Sequence, residues 1–165
     1  MTLRLQGLPP VTAADARVLI LGSFPGVASL AARQYYAHPR NQFWSLLGAV
    51  LDEPLPELPY RRRLARLKSR GIAVWDTIIG CARAGSLDSA IRDAQRGEVA
   101  TITARAPGLR AVAFNGGTAS REGAAWRDAG YATLALPSSS PAYTRPFAEK
   151  LVAWRSIAAY LDARH

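Results

Sequence analysis

The run Val18-Leu19-Ile20-Leu21-Gly22-Ser23-Phe24-Pro25-Gly26 decides how this chain is read, because it joins a strand to the turn that ends it. Val18 to Leu21 form a short, continuous apolar stretch stopped by glycine, which predicts a buried strand. Gly22, Pro25 and Gly26 then predict a tight turn whose backbone N–H groups can face a ligand, since no Cβ blocks the approach. Downstream, Tyr35-Tyr36-Ala37-His38-Pro39-Arg40-Asn41-Gln42-Phe43-Trp44 concentrates stacking faces and neutral hydrogen-bonding groups. Phe43, Leu46, Leu47 and Val50 repeat at helical spacing, which puts Asn41 at or beside a helix start.

Three further apolar runs resemble the first: Ile72–Trp75, Leu109–Phe114 and Ala132–Leu136. Between them lie helical stretches over Gln42–Leu51, Leu58–Ser69, Glu98–Ala106 and Thr118–Ala129, and a last amphipathic helix carries Phe147, Leu151, Trp154 and Leu161. Strands alternating with helices predict an α/β fold of three layers, α/β/α, around a central four-stranded parallel sheet. Gly80–Gly97 is the least periodic segment and is expected to be a long loop with a short helix. With no repeat and no composition break, residues 1–165 read as a single domain.

In parallel sheets the ligand sits beyond the carboxyl ends of the strands. The residues following the four strands are Gly22–Gly26, Asp76-Thr77, Asn115-Gly116-Gly117 and Pro137-Ser138-Ser139-Ser140-Pro141. All four are polar, glycine-rich or proline-rich, so one crevice can gather them.

A formal charge of +9, carried almost wholly by arginine with Lys68 and Lys150 the only lysines, points to a polyanionic partner. The competing reading makes arginine simply the default surface cation, and Arg61-Arg62-Arg63 reads as a solvated helix face. Cys81, the only cysteine, permits no internal disulfide and cannot alone hold an iron–sulfur cluster or structural zinc. No cofactor and no metal are expected. No apolar run reaches membrane-spanning length and the N-terminus lacks the pattern of a signal peptide, so a cytoplasmic protein is expected, and a monomer is assumed.

Each motif also has a plain structural reading. Gly22–Gly26 lacks the spacing of a dinucleotide fingerprint and the lysine of a triphosphate loop. Asparagine is a favoured helix cap, which suits Asn41. Asp76 can cap a turn, and Ser138-Ser139-Ser140 can close a strand-to-helix loop as readily as it can bind phosphate oxygens. His38 and His165 are the only histidines, which gives no support to a catalytic triad or a metal cluster.

Taken together, however, the glycine–phenylalanine–proline turn, the Tyr36–Trp44 stretch and the late proline–serine loop resemble the uracil-DNA glycosylase superfamily. Within it they are most similar to the deoxyinosine (hypoxanthine) DNA glycosylase branch, a relative of the mismatch-specific uracil-DNA glycosylases. Those sister enzymes carry a catalytic asparagine inside the turn, where this chain has Phe24. The resemblance therefore implies Asn41 as the catalytic amide, orienting water through its side-chain carbonyl. It also implies Tyr36 as the aromatic stacked on a flipped base, with Gly22, Ser23, Phe24, His38 and Asp76 as further base contacts. Of these, Asp76 would accept from N1–H of hypoxanthine and His38 would donate to O6 or a phosphate. Pro137, Ser138, Ser139 and Ser140 would hold DNA that contains a deaminated base. Two readings compete: a uracil-preferring enzyme, and a non-catalytic basic α/β module that binds nucleic acid without needing Asn41. A serine hydrolase would need a G-x-S-x-G elbow that the chain lacks.

Overall fold

The computed structural model describes residues 3–162. In chain order these form β1 (Arg4–Gln6), β2 (Val18–Gly22), α1 (Val27–Ala32), α2 (Phe43–Leu51), α3 (Tyr60–Ser69), β3 (Ile72–Asp76), β4 (Ile78–Ala82) and β5 (Arg92–Arg96). There follow α4 (Val99–Thr103), β6 (Ala111–Asn115), α5 (Gly117–Ser120), α6 (Gly123–Asp128), β7 (Ala132–Leu136) and α7 (Phe147–Trp154), the last continued by a 3-10 turn over Arg155–Tyr160.

Successive side chains of a strand point to opposite faces, so a strand buried on both sides must be apolar throughout. In β2, Val18 and Ile20 pack with Phe43, Leu46 and Leu47 of α2, Leu67 of α3 and Trp154 of α7. Leu19 and Leu21 face the other way, onto Ile102 of α4, Ala119 of α5 and Trp126 of α6. Two cores thus flank one sheet, whose four strands run parallel in the order β3-β2-β6-β7. The three-layer expectation holds.

A second sheet was not expected. The segment read as a loop, Gly80–Gly97, contains the end of β4 and all of β5, which pair with β1 in the antiparallel order β1-β4-β5. Arg92-Asp93-Ala94-Gln95-Arg96 has polar residues on both faces and is almost wholly exposed, so it carries no alternating signal. Its register against β4 also shifts twice, as at bulges. The small sheet nonetheless has a core of its own in Phe24, Ile78 and Cys81. Two helix expectations need correction as well. Thr118–Ala129 divides into α5 and α6, and the last helix tightens to 3-10 geometry after Trp154. Among the described residues no helix is long and apolar enough to cross a membrane.

Candidate active site

The tips of all four parallel strands open into one cavity of about 560 Å³, lined by Gly22–Gly26, Asp76, Asn115 and Ser138–Pro141. Tyr36, His38 and Asn41 line it as well, and so do Ser86 to Ser89 from the connection between β4 and β5. Pro137 does not line it; its carbonyl accepts from Trp154 Nε1 (2.9 Å), which ties the serine loop to α7.

Gly22 is required at the floor. A Cβ there would lie 2.6 Å from Asp76 Oδ1 and 2.7 Å from the Tyr36 hydroxyl, inside contact distance of both. Tyr36 holds a φ of 55°, a conformation rare for a bulky residue. Its neighbours explain how it is kept there. Tyr35 N–H donates to the Tyr60 hydroxyl, the Tyr35 hydroxyl donates to Pro9 C=O (2.8 Å), and Ala37 N–H donates to Ser29 Oγ. The Tyr36 ring stacks on Phe43 with centroids 3.9 Å apart, which leaves its other face for the cavity. Burial, and next the nearby Asp76, push the Tyr36 phenol well above its ordinary range.

Asp76 is the second buried polar group, 5% exposed, and its Oδ2 has no hydrogen-bond partner. Burial first, then Asp88, push its carboxyl up to about 7, while Arg83 pulls the other way. A carboxyl with no hydrogen-bond partner for Oδ2 among the described residues, at the floor of a cavity and held near neutrality, makes Asp76 a candidate functional residue.

Asn41 is fixed by contacts at its oxygen. Its Oδ1 accepts from Phe43 N–H (2.9 Å) and from Ser139 Oγ (2.8 Å). A backbone N–H can only donate, so Phe43 settles which end of the amide is oxygen. The oxygen therefore serves the helix start, as the capping role demands, and Nδ2 is the end without a partner among the described residues. This departs from the expected use of the carbonyl, both of whose acceptor directions are taken.

Behind Asn41 stands a residue given no role in the sequence reading. Asn115, at the end of β6, donates from Nδ2 to Ser139 Oγ (2.9 Å) and accepts Ser139 N–H on Oδ1 (2.9 Å). Gln42 N–H donates to Ser139 C=O (2.9 Å). Ser139 is 1% exposed with every polar group engaged, so it is a strut between Asn115 and Asn41. Ser138 and Ser140 differ: each hydroxyl accepts a backbone N–H two residues on, leaving its own proton free beside the cavity. Lys150, also buried, donates to Gln42 Oε1 (2.9 Å) and fastens this loop from below.

The turn places its remaining groups variously. Phe24 is 7% exposed and lines the cavity, with the Arg83 guanidinium 5.1 Å from its ring centre. Ser23 Oγ donates to Asp88 Oδ1 (2.7 Å). His38 is exposed at the rim, and its Nδ1 accepts from Arg40 N–H, so the neutral ring carries its proton on Nε2. The Arg61–Arg63 run lies on α3 outside the cavity wall. No group of three or more potential metal ligands is found among the described residues.

A parallel sheet covered on both faces, with a cavity of mixed apolar and polar lining at its strand tips large enough for a nucleoside, defines an α/β ligand-binding domain of the switch-point kind. More narrowly, residues 9–161 match the uracil DNA glycosylase superfamily, and the chain belongs to that family. It is 38% identical over 152 residues to a protein named hypoxanthine DNA glycosylase from Methanosarcina barkeri, covering 92% of this chain and 96% of the relative. A protein of the same name from Methanosarcina acetivorans is 36% identical over the same shares. Among solved structures, a solution NMR structure of a proposed uracil DNA glycosylase from Methanosarcina acetivorans superposes with a TM-score of 0.86 at 35% identity. That match covers 94% of this chain and 96% of that one.

Proposed function

We propose that this chain is a monofunctional DNA glycosylase that everts a deaminated base, hypoxanthine above all, and hydrolyses its N-glycosidic bond to leave an abasic site. The observation that carries the proposal is the placement of Asn41, Tyr36 and Asp76 in the wall of a single cavity. Family membership and the names of the Methanosarcina relatives support it.

A base within a duplex is out of reach, so the nucleotide is flipped at a cost of a few kcal/mol, least for a mispaired base. Tyr36, backed by Phe43, offers a rigid face for stacking. Asp76 as carboxylate accepts N1–H, which hypoxanthine has and adenine lacks. Bond cleavage leaves positive charge on the sugar and negative charge on the base. The Ser23 and Phe24 amides, which donate to no protein group among the described residues, are fixed dipoles for the departing base. Asn41 positions water through Nδ2–H, holding one lone pair while the other faces the anomeric carbon. A neutral amide is no base, so its contribution is orientation. Ser138, Ser140 and His38 provide protons for phosphate oxygens, and the net charge of +9 provides the attraction, here to a single protein copy in the cytoplasm.

The test is alkali cleavage of matched oligonucleotides carrying hypoxanthine, xanthine or uracil opposite each base. Hypoxanthine release that is abolished in Asn41→Ala, with DNA binding retained, is expected. Wild-type cleavage by that variant would reduce Asn41 to a cap, and faster release of uracil would reassign the substrate.

A further inference from the structure

The cavity lining carries two carboxylates, Asp76 and Asp88, and no lysine or arginine. That is a poor match for a polyanion, although the chain as a whole has a net charge of +9. Ser138 and Ser140 offer hydroxyl protons here, but a neutral donor does not offset the charge of a phosphate. A cation serving this wall must therefore stand behind the lining.

Arg83 and Lys150 are the only buried cations among the described residues, at 5% and 1% exposure. Each touches lining residues. Arg83 Nη2 donates to Pro25 C=O (2.7 Å), and the guanidinium lies 5.1 Å from the Phe24 ring centre. Lys150 Nζ donates to Ser140 C=O (3.4 Å) and lies 5.4 Å from the Tyr143 ring centre. The two differ in what answers their charge. For Arg83, burial works against the charged form, while Cys81, Asp88 and Asp76 work for it. For Lys150, burial lowers the ammonium below the usual lysine range and nothing opposes it. Glu149, its neighbour in sequence, bonds Arg145 instead (3.1 Å). A buried charge without a counter-charge is costly. Bonds to two neutral oxygens, Gln42 Oε1 (2.9 Å) and Ser140 C=O, replace only part of its hydration.

We propose that Lys150 is the counter-charge of a phosphate seat: a backbone phosphodiester of DNA docks on the Ser138 and Ser140 hydroxyls, and the ammonium one layer behind them neutralises it. The inference rests on the reading of the serine loop as a holder of DNA and adds the missing charge to it. Across a layer of protein the attraction is screened far less than across water. Placing the cation there also has a use. A surface lysine attracts any polyanion, whereas one reached only through two fixed hydroxyls favours a phosphate in a single place. Gln42, which Lys150 holds, directly follows Asn41, so the same ammonium ties the phosphate seat to the candidate catalytic amide.

The experiment measures affinity for a duplex carrying 2′-fluorodeoxyinosine, which resists cleavage, against salt concentration for wild type and Lys150→Met. Methionine keeps most of the apolar stem and removes the charge. The slope of log affinity against log salt should flatten by about 0.9, the share of one phosphate in B-form DNA. The free variant should melt close to wild type, since an unanswered buried charge is gone. In a second arm each phosphate flanking the lesion is replaced in turn by a neutral methylphosphonate. One position should weaken wild-type binding by about tenfold, the scale of a charge-assisted hydrogen bond, and leave Lys150→Met unaffected. An unchanged salt slope, a variant that melts far below wild type, or methylphosphonate losses equal in both proteins would overturn the seat and leave Lys150 a clamp of the loop. A wild-type chain that releases no hypoxanthine from a cleavable duplex would refute the glycosylase reading alone, because neither binding measurement needs cleavage.

Discussion

Replacing Ser139 with alanine isolates orientation from chemistry, because the Ser139 hydroxyl is buried and enters no step itself. The substitution removes the donor to Asn41 Oδ1 (2.8 Å) and the acceptor of Asn115 Nδ2 (2.9 Å). The Ser139 N–H and C=O bonds to Asn115 and Gln42 are made by the backbone and survive. Two buried side-chain hydrogen bonds are worth about 1–3 kcal/mol together. In a chain of this length that corresponds to a melting temperature lower by roughly 2–10 °C, so the variant should still fold. Asn41 then keeps Phe43 N–H alone and can pivot about it. A displacement of about 1 Å at a positioning group costs on the order of 100-fold in rate. Single-turnover kinetics should therefore show the rate of release down by roughly one to two orders of magnitude with duplex affinity nearly unchanged. The decisive measurement is the double-mutant cycle. If Ser139 acts only through Asn41, Ser139→Ala should cost little more in an Asn41→Ala background. Additive losses, or wild-type turnover by Ser139→Ala, would refute the strut.

The other perturbations address the cavity floor. Asp76→Asn should remove the acid limb of the pH–rate profile, since wild-type turnover rises as the carboxyl ionises near pH 7. The same change should stabilise the fold. The folded-state pKa lies above the unfolded one, so wild-type stability is fullest at low pH and falls as pH rises through about 7. Denaturation at pH 8 should accordingly favour the variant by on the order of 2–4 kcal/mol, with a smaller gain at pH 4. Tyr36→Phe should turn over at close to the wild-type rate, because stacking uses the ring face and not the hydroxyl. Tyr36→Ala should lose about 1–3 kcal/mol of base stacking, and equal kinetic losses in the two variants would contradict stacking. Gly22→Ala must displace both Asp76 and the Tyr36 hydroxyl, at a cost of about 1–3 kcal/mol. Its hypoxanthine release should fall well below wild type in the same assay, and full activity would show that the close approach does not matter.

The parallel sheet was legible because burial on both faces leaves a mark that local reading detects. β2 and β3 are buried at every residue, and their uninterrupted apolar runs record it. The polar strand tips were equally plain, and with the rule that ligands lie beyond the carboxyl ends of parallel strands they led to one crevice. β5 was not legible: as an exposed edge strand with arginine at both ends, it has no apolar face to announce it. With it went the second wall of the cavity, including Ser86, Leu87 and Asp88. The only hint was a polar, glycine-containing stretch, Ala84-Gly85-Ser86-Leu87-Asp88, and that pattern does not distinguish a functional loop from any other.

By itself, then, the sequence determined the layers, the carboxyl-end edge of the sheet as the place for a ligand, and the residue types gathered there, because periodicity and turn chemistry are properties of neighbours along the chain. Which end of the Asn41 amide is left free was decided elsewhere. It depends on Ser139, 98 positions away, and on Asn115, which holds Ser139 in turn. Likewise the inward turn of Ser139, unlike Ser138 and Ser140 beside it, follows from partners on β6 and at the start of α2. Hydrogen bonds between segments far apart in the chain leave no periodic trace, so only the packed tertiary structure could assign these groups their directions.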